Sequence, residues 1–191
     1  MCGRARLAAD PIDIAELLGV DVSALPAIPR KDEINPDDAM VVMAGGAVKT
    51  MRYGFHGREG LVFNARSETA FDRVLFQESM HERRCIVVID GFFEWDASRR
   101  KQLVAAPDAA PFALAGLYDE GQERCVVLTQ PARPPVKTVH GRMPVFLPRT
   151  AFAAWLAGDG GVAHDVLDEA RTYAPPLVVR DVSKQLSLFG T

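Results

Sequence analysis

The chain has 191 residues and a formal net charge of −3, and is 48% hydrophobic and 25% charged, with a mean hydropathy near zero. That describes one soluble globular domain long enough for a real core, and its acidic balance excludes a protein that coats itself in nucleic acid by bulk charge. Any such contact must come from a local cluster, and arginine, which outnumbers lysine here, suits forked phosphate contacts.

The longest apolar runs, such as Ile86-Val87-Val88-Ile89 and Val126-Val127-Leu128, are strand-length and far short of the roughly 18 residues of a membrane helix. No membrane partner is expected, and the opening residues lack a secretory pattern, so a cytoplasmic protein is expected. Three cysteines without paired spacing argue against a disulfide framework and for a reducing compartment. There is no Cys-x-x-Cys and no His-x-x-x-His, so no metal and no cofactor is expected.

The chain opens Met1-Cys2-Gly3-Arg4. If Met1 is removed, Cys2 carries an α-amine and a thiol on adjacent carbons. Such an aminothiol condenses with an aldehyde to an imine, and thiol addition then closes a thiazolidine. An α-amine titrates near 7.7–8.0, so part of it is neutral and nucleophilic at cytoplasmic pH. The bland alternative is a fraying terminus in which Cys2 is an accident of composition.

Asp10-Pro11 predicts a helix, with Asp10 as cap, Pro11 in the first turn, an apolar stripe of Ile14, Leu17 and Leu18, and Gly19 as its end. Residues 25–38 read as a Pro-rich extended loop. Residues 39–43 and 48–55 read as a hairpin about Gly45-Gly46, with Tyr53 and Phe55 able to stack on a base or to cover the core. In Phe63-Asn64-Ala65-Arg66-Ser67-Glu68-Thr69 an extended backbone turns Asn64, Arg66 and Glu68 to one face, and Ser67 or Thr69 can cap a helix over 70–80. The plainer reading of this segment is a cap with surface charges.

A buried strand ends at Asp90-Gly91, and a second short strand carries Glu94 among Phe92, Phe93 and Trp95. A carboxyl in that company is poorly solvated and shifts toward the range useful for proton transfer, unless it faces solvent from an edge. Cys85 and Cys125 read as inert packing. Arg99-Arg100-Lys101 marks a solvated hairpin tip. Residues 111–118 and 124–129 form an antiparallel pair, and 130–135 is a connector. In His140-Gly141-Arg142-Met143-Pro144 the histidine is the side chain best poised for proton transfer near neutrality, although its weight comes from its company. Helices are expected from Thr150 through Leu156 and over 162–171. The polar tail ends Gln185-Leu186-Ser187-Leu188-Phe189-Gly190, the form of a short docking peptide.

Four of these segments, Met1-Cys2-Gly3-Arg4, Asn64 to Thr69, Asp90 to Trp95 and His140 to Pro144, occur in the order and form of one family. From Met1 to about Leu156 the chain resembles the SRAP (SOS response-associated peptidase) proteins, whose members shield abasic sites in single-stranded DNA by covalent attachment. The resemblance implies an α+β fold, a single compact SRAP-type domain with a bent antiparallel β-barrel-like core and peripheral helices. It places the domain at 1–180 and a tail at 181–191. It implies Cys2 as nucleophile on the ring-opened sugar aldehyde, Asn64 positioning, Glu94 shuttling protons and His140 assisting ring opening. Arg4, Arg66 and Arg142 would contact the DNA backbone, and Tyr53 and Phe55 would stand where the family has a Trp-Gly-Leu-like wedge. Thr129-Gln130-Pro131-Ala132 departs from the family's usual Thr and Asn before the histidine motif.

The implied partner is abasic single-stranded DNA, engaged by a monomer associated with the nucleoid. Gln185, Leu186, Leu188 and Phe189 resemble the pentapeptide by which bacterial proteins bind the DNA polymerase sliding clamp. Two rivals remain open at this stage. One is a thiol autopeptidase that removes its own Met1; the other is a non-covalent single-strand binding module recruited by the clamp.

Overall fold

The computed structural model describes residues 3–157 and 159–183. The first strand, β1 (Arg4–Leu7), is followed by helix α1 (Pro11–Leu18). The Asp10 side chain accepts the Ile12 N–H, Pro11 stands in the first turn, and Gly19 ends the helix at φ 70°, as the sequence predicts. Residues 25–38, expected as a loop, contain the strand β2 (Lys31–Ile34), which pairs antiparallel with β1. Only Ile34 of that strand is fully buried, so its sequence carries no period-2 signal. The pairing is made by backbone groups rather than by side-chain pattern.

Strands β3 (Ala39–Ala44) and β4 (Ala47–Tyr53) form the predicted hairpin, with φ of 58° and 78° at Gly45 and Gly46. Two consecutive positive φ values are the geometry of a two-residue turn matched to strand twist. The chain then leaves as a small hairpin, β5 (Phe55–Gly57) and β6 (Gly60–Val62), and returns as β7 (Asn64–Arg66). Gly54 makes this departure possible: its φ is 107°, and a Cβ there would lie 2.7 Å from Leu61 Cγ. Helix α2 begins only at Val74 and runs to Glu82. Neither Ser67 nor Thr69 caps it, because turns intervene and Arg73, without a side-chain cap bond, holds that position.

Strands β8 (Arg84–Ile89) and β9 (Gly91–Trp95) are nearly continuous through Asp90. They are followed by β10 (Lys101–Ala105), β11 (Phe112–Asp119), β12 (Arg124–Pro131), β13 (Arg142–Pro144), α3 (Phe152–Ala157), α4 (Gly160–Ala170) and β14 (Val178–Asp181). The order β11-β8-β3-β4-β12 returns to β11, so the sheet closes into a ring. Its members are antiparallel except where β12 runs parallel to β4 and then to β7. β4 and β7 occupy successive stretches of one edge of β12, and the β5–β6 hairpin is an excursion between them. The architecture is α+β, as expected, with the antiparallel rule broken at that edge.

A second sheet, β14-β10-β9-β1-β2, lies against the ring. Phe92 on its inner face approaches Phe146, which meets Phe112 edge-on at 5.1 Å. β8 is buried along its whole length, with α3 packed on it: Trp155, fully buried, donates its indole N–H to the Cys85 carbonyl, and Arg84 donates to the Trp155 carbonyl. No helix among the described residues is long and apolar enough to cross a membrane. β14 runs to Asp181, the Val182 N–H donates to the Lys101 carbonyl, and the Lys101 N–H donates to the Ser183 hydroxyl.

The bend between the two sheets is held by Asp90, whose side chain is 1% exposed. One carboxylate oxygen accepts the N–H groups of Ala8 and Ala9 at 2.6 and 2.7 Å, and the Asp90 N–H donates to the Arg6 carbonyl. Removing the carboxylate strands two backbone donors that have no other acceptor among the described residues. Asp90→Ala should therefore lose about 2–3 kcal/mol of stability, read as a lower urea midpoint with unchanged slope. A midpoint within error of the parent would show that the bend holds without it.

Candidate functional site

The inner face of the second sheet follows from strand alternation. In β9, Phe92 and Glu94 point inward while Phe93 and Trp95 point out, and Glu94 is only 2% exposed. A glutamate on the core side of a sheet is poorly hydrated, and burial raises its pKa above the ordinary value, with His140 opposing the shift. This settles the choice between a solvent-facing edge glutamate and an interior one. β1 pairs Arg4 with Phe93, and carrying that register one residue further sets Gly3 opposite Glu94.

His140 comes to the same place from the far side of the ring. Its backbone N–H donates to Val136 O, and its Nδ1 accepts the Arg142 backbone N–H at 3.0 Å. Nδ1 also stands 4.0 Å from Glu94 Oε1. Nδ1 lies 3.2 Å from the Arg142 carbonyl as well, so the Arg142 backbone orients the imidazole and offers a partner to either tautomer.

Arg142 does more than fix the imidazole. Its guanidinium grips Glu68 with both terminal nitrogens and donates to the Thr129 carbonyl at 2.7 Å and the Thr129 hydroxyl at 3.2 Å. The Arg142 guanidinium holds the Glu68 carboxyl below the usual carboxylate range. This bidentate clamp joins the His140 loop to the segment after β7 and to β12. On β7 itself, Asn64 is paired with Val127 and Arg66 with Thr129. The Tyr53 hydroxyl donates to Asn64 Oδ1 at 3.3 Å. Glu94, His140, Arg142, Glu68 and Thr129 thus form one connected set, with Asn64 on the strand β7 that pairs alongside β12. Glu68 and Thr129 are members that sequence reasoning left without a role; the Glu-Arg charge complement between two of the four motifs was the available signal.

Other expected positions lie elsewhere. Arg4 is bonded to Glu33, which also holds Lys101, and sits over the Trp95 ring at 5.6 Å, on the sheet face opposite Glu94. Tyr53 and Phe55 are each 1% exposed and packed in the core. They present no ring face for a base to stack on, and this corrects the reading of them as a wedge: burying two large aromatic rings stabilises the ring sheet more than displaying them would. Arg66 is exposed. Cys2 and the tail residues Gln185, Leu186, Leu188 and Phe189 lie outside the described residues. Cys85 and Cys125 are fully buried, and burial pushes the Cys85 thiol well up and that of Cys125 to about 12, so both are inert packing as expected. Among the described residues, no group of three or more His, Cys, Asp and Glu side chains converges to hold a metal ion.

The raised pKa of Glu94 gives a stability signature. The folded chain keeps this proton above pH 4.5, the ordinary value, where the unfolded chain releases it. Stability therefore falls as pH rises from there through the folded value. Glu94→Gln lacks that loss, so its melting temperature relative to the parent should climb between pH 4 and pH 7. A constant difference across that range would mean that Glu94 ionises without cost.

A protein from Bordetella bronchiseptica has the same fold at TM-score 0.78, with 22% identity over 95% of this chain and 99% of that one. One from Bacteroides thetaiotaomicron gives 0.74 with 18% identity over 99% and 95%; these likenesses carry the fold alone. The abasic site processing proteins YoaM and YobE of Bacillus subtilis are 30% and 28% identical to this chain over 106 residues, half of this chain in each case. The aligned part is 47% and 48% of those two proteins, so the chain spans about half the length of the curated relatives it matches. The family model of the SOS response associated peptidase (SRAP) matches residues 1–188, which takes in all four motifs and the whole Glu94–His140–Arg142 network, and the chain belongs to that family.

Proposed function

We propose that this chain captures abasic sites in single-stranded DNA by bonding covalently to the ring-opened sugar through Cys2, after loss of Met1. The α-amine adds to the C1 aldehyde, and loss of water gives the imine. The thiol then adds across the C=N bond, its proton passing to nitrogen, so the thiazolidine forms with the net release of one water. These steps need a group that donates a proton to the departing hydroxyl and a partner that takes up protons, all held close to one amine and one thiol. Glu94 suits the first role, since burial keeps it protonated to higher pH than an ordinary carboxyl. His140, its ring oriented by the Arg142 backbone, suits the opening of the cyclic hemiacetal.

The observation that carries the reading is buried Glu94 facing half-buried His140 at 4.0 Å, with the β1–β9 register, carried one residue beyond the Arg4–Phe93 pair, bringing Gly3 opposite Glu94. The similarity to the abasic site processing proteins YoaM and YobE supports an abasic site as the target. Incubation with abasic single-stranded DNA followed by a denaturing gel tests it: a retarded band is expected from the parent and none from Cys2→Ala. Glu94→Gln should slow band formation by about 10²–10⁴-fold, the usual contribution of a proton-transfer group, with little change in binding to undamaged strand. No band from the parent ends the covalent reading and leaves non-covalent binding.

The tail is read separately as a sliding-clamp tether that raises the local concentration of the domain at replication forks. Support comes from the sequence Gln185-Leu186-Ser187-Leu188-Phe189 and from the anchoring of Ser183 to Lys101 immediately before it. Deleting the last seven residues should abolish clamp pull-down while leaving the gel band intact; clamp capture equal to the parent's rules the tether out.

A further inference from the structure

The second sheet, β14-β10-β9-β1-β2, has two outer strands, and among the described residues neither is covered by another strand. The two edges differ in kind. β2 reads Lys31-Asp32-Glu33-Ile34, and a run of charges is the usual defence of an edge against pairing with another segment. β14 reads Val178-Val179-Arg180-Asp181, with Val182 after it, and its charges are engaged: Arg180 donates to the Pro107 carbonyl, and Asp181 holds Arg100 and the Ser183 N–H. Alternation tells which backbone groups face outward. The Val182 N–H donates to the Lys101 carbonyl, so Arg180 and Val178 also bond toward β10. Val179 and Asp181 turn their N–H and C=O groups away from it, toward the open edge.

At the start of β14 lies an apolar cavity of about 280 Å³. Its walls include Ala106, Pro107, Pro111 and Phe112 from the β10–β11 connection, and Pro175 and Pro176 just ahead of β14. At the other end of the strand, Ser183 is pinned to Lys101, and its N–H donates to the Asp181 carboxylate at 2.9 Å, a bend that begins a chain reversal. The sequence that follows, Lys184-Gln185-Leu186-Ser187-Leu188-Phe189, sets Leu186 and Leu188 two apart between polar residues, the period of a strand.

We propose that the open edge of β14, with the proline-lined cavity at its start, is the docking site of the chain's own segment Gln185–Phe189, which adds to the sheet as a further antiparallel strand. A reversal across Ser183 and Lys184 sets Leu186 opposite Asp181 and Leu188 opposite Val179. Phe189 then stands opposite Val178, two residues from Pro176 and the cavity. The reach is sufficient: from Ser183 to Phe189 the extended chain spans about 20 Å, and the return along β14 from Ser183 to Val178 is about 17 Å. Backbone bonds to Val179 and Asp181 hold the added strand, and the cavity takes its apolar end. The connection is so short that the local concentration of the segment is on the order of millimolar or above. A docked segment is closed to a sliding clamp, so docking lowers capture by the docked fraction. The domain then exposes its tether only when a clamp outcompetes the edge.

The test is amide hydrogen exchange, resolved by residue, on the full chain without clamp or DNA. It stands apart from the tether and covalent readings, which can fail without touching it. In the parent, the Val179 and Asp181 amides should exchange about tenfold more slowly than in Leu186→Ser/Leu188→Ser/Phe189→Ser, the scale of one backbone hydrogen bond. The Val178 and Arg180 amides, bonded to β10, should be equally protected in both, which shows the sheet intact. Equal exchange at Val179 and Asp181 in parent and variant overturns the docking. Protection that grows with protein concentration assigns the edge to a second copy and overturns docking within one chain. In the parent, nuclear Overhauser contacts from the Phe189 ring to Pro111 and Pro176 are expected; their absence overturns the cavity as the seat of the segment's end.

Discussion

The structure turns on the carboxylate of Asp90. It sits where one nearly continuous strand passes from the closed ring to the second sheet, and its oxygen accepts two backbone N–H groups just beyond β1. A buried carboxylate is tolerated because those donors and nearby Arg6 compensate its lost hydration. The consequence is geometric. β1 is held beside β9 in the register that pairs Arg4 with Phe93, and the inward side of β9 then carries Glu94 into the core.

Glu94 and His140 arrive from different parts of the chain and meet without a tight ion pair, at 4.0 Å. That separation suits groups that exchange protons with a third party better than it suits a structural salt bridge. The imidazole is oriented by a backbone N–H, which does not vary with ionisation elsewhere. Arg142, whose backbone supplies that N–H, is held in turn by Glu68 and Thr129. One arginine therefore ties together the histidine loop, the segment after β7 and the end of β12, the three pieces that flank the site.

The distribution of cationic side chains follows the same economy. An arginine bound to a neighbouring carboxylate or carbonyl serves the fold, and its exchange for a phosphate contact would cost the internal bond. Arg4 and Arg142 carry such bonds, to Glu33 and Glu68. Arg58, Arg66 and Arg73 do not. In a chain of net charge −3, three such cations lining the groove between the β5–β6 hairpin and the start of α2 make a local field that bulk charge does not reveal.

Features controlled by neighbours in sequence could be read from the sequence alone. The Asp10 cap, the Gly45-Gly46 turn and the inert cysteines depend on propensity and backbone freedom, and the four motifs carried the family, whereas which face of β9 is covered, and so whether Glu94 is interior, was left open. Tertiary structure decided the rest. Strand β2 is polar and exists because β1 offers it backbone partners, and α2 starts late because the segment before it turns back to meet Arg142 and Thr129. Tyr53 and Phe55 face the core because the ring closes over them, and a strand pattern does not say which of its faces will be covered. The grouping of the partnerless arginines depends on where other carboxylates fall in space: pairing between charges distant in sequence is set by the packed chain, and no local pattern encodes it.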